Sequence, residues 1–210
     1  CRNSKNNQSM IAKAGGIPPL ITWLGSNSTG CVTEAAHAVM CLATDNATTQ
    51  TLIARANAIP PLIQLVKRTT VATAQNYAAR AIFYLASVME NQQMITDSQA
   101  IKPLVAMLSS EHKDAPELAA IILVRLARPN PEVSTMIADK NGILPLVALV
   151  RHGTPGAQQQ AANALGELAL VSRSRDQIAN ADGIEPLIKL LSSPTPGSAE
   201  VAARALSHLA

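Results

Sequence analysis

The sequence predicts an all-α fold made of a stack of similar helical repeats. Five segments share the pattern Gly/Ala-Ile-x-Pro-Leu, where x is any residue. The Ile residues of this pattern are at positions 17, 59, 101, 143 and 184. Their spacings are therefore 42, 42, 42 and 41 residues. Hydrophobic residues make up 48% of the 210 residues but aromatic residues only 2%. Small and aliphatic side chains must form the core, which suits packed helices better than a β-sandwich.

Two further patterns keep the same phase and support the repeat. An Ala-rich segment follows each of the five Ile residues at matching distance, at 35–43, 78–86, 119–127, 161–169 and 202–210. An Ile also lies six residues before each of them, at positions 11, 53, 95, 137 and 178. Three patterns recurring five times in phase indicate that one structural unit is repeated along the whole chain.

Each unit is predicted to contain three helices. The first ends near Asn57, Asn141 or Asp182-Gly183, because Asn and Gly tolerate the left-handed turn that closes a helix. Prolines such as Pro18 then open the second helix, where the missing N–H costs nothing. The third helix is long and Ala-rich. No unit covers its own apolar face, so neighbouring units must stack.

The Gly-Ile-x-Pro-Leu start and the Ala-Ala-x-Ala-Leu-x-x-Leu-Ala finish of each unit resemble the armadillo (ARM) repeat family over essentially the whole chain. HEAT repeats are the nearest rival, but they use two helices per unit and lack this junction. The resemblance implies a right-handed α-α superhelix, an armadillo-repeat solenoid with three helices per ~42-residue repeat, in which the third helices line an inner, concave groove.

The repeat pattern predicts that the chain is a single solenoid and gives the bounds of its repeats. Residues 1–14 are the end of a truncated repeat, residues 183–210 are a partial repeat, and the full repeats are 15–56, 57–98, 99–140 and 141–182. Neither end has an evident polar cap. We therefore expect the chain to be a fragment of a longer protein.

Composition and motifs argue against several classes of function. The net charge of +3 is mild and the Lys and Arg residues are not clustered, so nucleic acid is not expected as the main ligand. No apolar run is long enough for a membrane span. No spacing of His, Cys or carboxylates predicts a metal site, and no nucleophile has a positioned base. We expect neither catalytic residues nor a cofactor.

Three cysteines, Cys1, Cys31 and Cys41, make a disulfide framework unlikely in a chain of this size. Cys31 and Cys41 are interpreted as buried thiols. These features favour a reducing compartment, so we expect a cytoplasmic location, with the nucleus as an additional candidate.

Function is therefore expected on the groove that the third helices line. In the armadillo family this helix often carries an Asn two positions before its final Ala, which holds a peptide backbone, and in some members a Trp one turn earlier. Three positions per unit, spaced by four, share this helix face. The predicted groove residues are Thr33, His37, Cys41, Asn76, Arg80, Tyr84, Glu117, Ile121, Arg125, Gln159, Asn163, Glu167, Glu200, Arg204 and His208.

These residues depart from the family pattern, because no unit has Asn or Trp at the two characteristic positions. Importin-like recognition of basic nuclear-localisation peptides is therefore disfavoured. A sharper hypothesis is that Arg80, Tyr84 and Arg125 bind an acidic segment of a partner. The alternative is that the groove charges pair with one another, Glu200 with Arg204 and Arg125 with Glu167.

The leading interpretation is a protein–protein interaction scaffold that holds a protein or an extended peptide in the groove. One alternative is the substrate-recruiting region of a larger enzyme such as a U-box ubiquitin ligase, although no U-box-like sequence occurs within residues 1–210. Another is a structural array that self-associates through exposed repeat ends. Neither the groove, the convex face nor the ends are singled out as the binding surface by the sequence.

Overall fold

The computed structural model describes residues 4–67 and 71–210, which form two compact units, Cys1–Pro103 and Leu104–Ala210. The described residues form fifteen α-helices and no strand, so the all-α prediction is confirmed. The predicted repeat boundaries fall between helices. The division of the chain into these repeats as one solenoid stays a prediction.

The helices recur in sets of three along both units. The first unit contains α1 Lys5–Lys13, α2 Ile17–Leu24, α3 Thr29–Ala43, α4 Ala47–Arg55, α5 Ile59–Lys67, α6 Ala72–Leu85 and α7 Met89–Asp97. Helix α8, Ile101–Met107, begins in the first unit and ends in the second. The second unit continues with α9 Ala115–Ala127, α10 Pro131–Asp139, α11 Ile143–His152, α12 Pro155–Leu168, α13 Ser172–Asn180, α14 Ile184–Leu190 and α15 Ser198–Leu209.

The second helix of every set begins at the Ile of the repeated pattern. Helices α2, α5, α8, α11 and α14 start at the five positions from which the repeat was recognised. The prolines therefore lie in the first turn, where no intrahelical bond needs their N–H. The prediction that these prolines open the second helix is therefore confirmed, with the helix beginning at the preceding Ile.

A left-handed residue two positions before each of these starts closes the preceding helix. It has a positive φ and is Gly15, Asn57, Gln99, Asn141 or Asp182. At four junctions the N–H of the next residue donates to the carbonyl of the Ile that lies six residues before the helix start, as in Gly142 to Ile137 O at 2.9 Å, a Schellman-type closure. Asp182 rather than Gly183 adopts the turn, and Gln99 was not predicted to do so.

Apolar rows on the second and third helices form the core. The third-helix sets around Val39, Ile82 and Leu165 are buried as predicted. On the second helices, a row made by the repeated Ile and the residues four and seven positions after it is buried at α5, α8 and α11, although at α8 the last of the three, Leu108, follows the helix. The equivalent row on α14 is exposed, with Ile184, Ile188 and Leu191 at 41%, 53% and 40%.

Polar side chains of the first helices cap the carbonyl ends of the third helices that precede them. In the first unit, Asn91 Nδ2 donates to Leu85 O at 3.0 Å and Gln50 Nε2 donates to Ala43 O at 2.8 Å. In the second unit, Arg175 Nε donates to Ala169 O at 2.8 Å. These bonds satisfy carbonyls that a helix end leaves without an intrahelical partner.

Replacing Asn91 by Ala is expected to lower the free energy of unfolding by about 1–3 kcal/mol, because a buried carbonyl loses its donor. Gln93 is the matched control. It lies on the same helix but is exposed, and its Nε2 donates to Asp97 on the surface. Gln93→Ala should change stability by less than about 0.5 kcal/mol. Urea denaturation followed by circular dichroism measures both, and equal effects would show that the buried cap has no special role.

Among the described residues, no single helix has the length and apolar character needed to cross a bilayer. The consecutive helices α10 and α11 meet those requirements only when taken together, and they are bent by 85° at the break between them.

Candidate partner-binding face

The fifteen predicted groove residues all lie on the third helices of their sets, and we call them together the third-helix face. In the first unit they are three residues of α3 and three of α6, and in the second unit three each of α9, α12 and α15. Helix α3 packs on α6 in the first unit, and α12 packs on both α9 and α15 in the second. Each unit therefore brings its own predicted residues onto neighbouring helices.

In the second unit, two hydrogen bonds tie α15 to α12 across this face. Arg204 Nη2 donates to Asn163 Oδ1 at 2.8 Å. His208 Nδ1 lies 2.8 Å from Gly166 O. Because a carbonyl oxygen only accepts, this contact places a proton on Nδ1 and leaves Nε2 of the neutral ring as an acceptor. The two side chains of α15 are therefore positioned by α12.

Gly166 explains how closely these two helices approach. A Cβ at this position would lie 3.2 Å from Ala205 Cα and 3.3 Å from Ala205 Cβ, tighter than ordinary van der Waals contact. Both residues are buried. The Gly–Ala pair therefore allows the third helices to pack nearly backbone to backbone, which brings Arg204 and His208 within reach of α12.

The charges of this face pair differently from the prediction. Glu167 Oε1 accepts from Arg128 Nε at 3.0 Å and from Arg128 Nη2 at 2.8 Å, an ion pair that was not predicted. The carboxylate is well shielded, with 12% of the side chain exposed. Arg204 contacts Asn163 rather than Glu200. The predicted pair Glu200–Arg204 was therefore wrong, and the predicted pair Arg125–Glu167 stays a prediction.

Burial lowers the pKa of the Arg125 guanidinium from its ordinary value, because removing a charge from water disfavours the charged form. On the same helix, the Glu117 carboxylate lies over the start of α12, so closely that a Cβ at Gly156 would overlap it. A carboxylate at this place also interacts favourably with the positive end of the α12 dipole.

In the first unit, the face combines an aromatic stack with a local amide contact. The rings of His37 and Tyr77 stack with centroids 4.6 Å apart and link α3 to α6. Arg80 Nε donates to Asn76 Oδ1 at 2.8 Å. Arg80 and Tyr84 belong to the first unit and Arg125 to the second, and their predicted joint site for an acidic segment stays a prediction.

Sequence reasoning did not identify three residues that contact the third-helix face or determine its geometry, namely Tyr77, Arg128 and Gly166. Tyr77 and Arg128 lie outside the spacing of four that defined the candidates. Gly166 could have been found, because it stands where the other four repeats carry Met, Phe, Val and Ser, all larger side chains. A glycine inside a helix indicates a close backbone approach.

The interpretation of Cys31 and Cys41 as buried thiols was wrong. Cys31 is a free but only half-buried thiol, near the exposed start of α3. Cys41 is also half-buried and is disulfide-bonded. Within residues 4–67 and 71–210, no group of three or more His, Cys, Asp or Glu side chains is arranged to hold a metal ion.

A separate surface cleft of about 530 Å³ lies between the second helices α11 and α14. Arg151 and Lys189 contribute its positive charge, and Glu185 contributes a carboxylate. Lys189 Nζ lies 2.7 Å from Glu185 Oε1, and this hydrogen bond lowers the pKa of Glu185. The cleft contains none of the predicted groove residues.

Comparison with known proteins identifies the repeat. The Armadillo/beta-catenin-like repeat family matches residues 45–87 and 172–210. These stretches contain α4 to α6 and α13 to α15, two complete sets of first, second and third helices. These two stretches match the armadillo repeat. A search of curated protein sequences finds no match to this chain.

Solved armadillo structures have the same fold. A designed armadillo repeat protein gives a TM-score of 0.90 at 23% identity, over 99% of this chain and 87% of that one. Another, in complex with peptide (KR)4, gives 0.87 at 22% identity, over 99% and 87%. ARO, the armadillo repeats only protein from Plasmodium falciparum, gives 0.84 at 17% identity, over 97% and 96%. The predicted fold class is therefore confirmed.

Proposed function

We propose that this chain is a non-catalytic scaffold that holds an extended segment of another protein against its third-helix face. The observation that carries the proposal is the row of part-exposed side chains on α9, α12 and α15. Neighbouring helices hold several of them in place, as Asn163 holds Arg204. Polar groups that are positioned before a ligand arrives lose less conformational entropy on binding.

The character of the row supports a peptide as ligand. It presents amides, an imidazole nitrogen and charged groups, which match the donors and acceptors of a peptide backbone and its side chains. The half-buried Ile121 of α9 adds an apolar contact. One designed armadillo neighbour is in complex with a peptide, and this supports the same use of the fold here.

The proposal is tested by selecting peptides from a random 12-residue display library on this chain and measuring their affinity by isothermal titration calorimetry. Ile121→Glu should weaken a selected peptide by at least about tenfold, because it puts a charge at an apolar contact of the binding face. Circular dichroism should show unchanged helix content, because Ile121 is not a core residue.

Leu144→Glu is the matched control. Leu144 is an exposed apolar residue of the second helix α11, away from the proposed face. Its replacement should change the affinity by less than about twofold. Selected peptides that respond to Leu144→Glu and ignore Ile121→Glu would contradict the proposal and point to the second helices.

The finer sequence-based expectations belong to this proposal. They are an acidic partner segment, a cytoplasmic or nuclear location, and a role without nucleic acid as the main ligand. The alternative in which the repeats recruit substrates for a larger enzyme, such as a U-box ubiquitin ligase, would use the same face and stays a prediction.

Self-association through the repeat ends is a second candidate function, and one observation favours it. The row formed by Ile184 and Ile188 of α14 and by Leu191 just after it is exposed, whereas the equivalent rows at α5, α8 and α11 are buried. Exposed apolar rows of this kind favour association. The dependence of mass on concentration in solution is the relevant measurement.

A further inference from the structure

We infer that Arg204 and Asn163 form a receptor for a carboxylate of the partner segment, and this inference rests on the proposed function. Arg204 is exposed, and its one hydrogen bond within the described residues is to the neutral Asn163 side chain. No carboxylate of residues 4–67 or 71–210 lies within ion-pair distance of it. Its charge is therefore held in a defined place without being neutralised.

The remaining donors of this pair suit a carboxylate. Asn163 uses Oδ1 to accept from Arg204, and its Nδ2 group donates to no protein atom in the part of the chain that the structure describes. The guanidinium keeps further N–H groups for a ligand, because Arg has five. Planar N–H donors from two adjacent side chains match the two oxygens of one carboxylate.

The neighbouring carboxylates leave the Arg204 guanidinium without an ion pair in the described residues. One turn further along the face, Glu167 already neutralises Arg128 through a 2.8 Å ion pair. Glu200, one turn before Arg204 on α15, is exposed and makes no ion pair within the described residues. A ligand carboxylate therefore meets Arg204 without having to break an existing ion pair.

The test uses fluorescein-labelled hexaglutamate and hexaglutamine peptides, with binding followed by fluorescence anisotropy at low salt. Hexaglutamate should bind and hexaglutamine should not. Arg204→Gln should weaken hexaglutamate binding by about 10- to 100-fold, the usual value of a charge-assisted hydrogen bond. Arg204→Lys should recover only part of this loss, because Lys lacks the planar fork.

Arg173→Gln is the matched control, because it removes the same charge from an exposed residue of the second unit that pairs with Asp139 on another surface. It should leave hexaglutamate binding within about twofold. Equal losses for Arg173→Gln and Arg204→Gln, or no loss for Arg204→Gln, would overturn the inference. Selected peptides that depend on Ile121 but not on Arg204 would overturn it while leaving the proposed function intact. Failure of the proposed function instead appears as selected peptides that ignore Ile121.

Discussion

Leu146→Ala should lower the free energy of unfolding by about 2–5 kcal/mol, the usual range for a fully buried Leu. Leu146 is the Leu of the repeated Pro-Leu pair on α11 and has 0% exposure. Its removal leaves a cavity where the second helix packs under the third. Because repeat stacks need not unfold in two states, the shift of the urea midpoint is the quantity to compare.

Leu144 provides the control for this substitution in the same helix. It stands two residues earlier and is 64% exposed. Leu144→Ala should change stability by less than about 0.5 kcal/mol. If the two variants unfolded at the same urea concentration, the assignment of one face of α11 to the core would be incorrect.

Gly166→Val should lower the free energy of unfolding by about 1–3 kcal/mol or more through overpacking. Even a Cβ would meet the backbone of Ala205 at 3.2 Å, and the two branches of Val add further overlap. Helix α15 would have to move away from α12, so the contact of His208 with Gly166 O would also be lost. Thermal unfolding and the NMR resonances of His208 report these two effects separately.

Gly30→Val is the control for a Gly-to-Val change in a third helix. Gly30 lies in the first turn of α3, and a Cβ there would meet no atom within 4 Å. Since Val has a better helix propensity than Gly, the variant should be as stable as the original chain or slightly more stable. Equal destabilisation by both substitutions would contradict a special close approach at Gly166.

Much of the fold could be predicted because the repeat places the same local signals at fixed positions. Ile143 and Pro145 mark a helix start in one repeat just as Ile59 and Pro61 do in another. The turn at Gln99 was missed because Gln carries no local preference for a left-handed backbone. Its conformation follows from its place in the repeat and not from its own side chain.

Much less of the candidate face could be predicted. The spacing of four predicts that Asn163 and Glu167 share one face of their helix and that Arg204 and His208 share one face of theirs, because helix periodicity alone determines that. The spacing could not predict which charged side chains form ion pairs with one another. Long side chains reach across to the next helix, and the distance between helices depends on small residues such as Gly166. The pairing of Glu167 with Arg128 is a product of that geometry.

The central claim is that the third helices form the binding surface, and an NMR footprint tests it most directly. A peptide selected on the chain is titrated into ¹⁵N-labelled protein, and amide shifts are mapped onto the helices. The account predicts the largest shifts near Ile121, Asn163 and Arg204, with little change near Leu144 and Lys189. Shifts concentrated on the second helices α11 and α14, with the third helices unaffected, would contradict it.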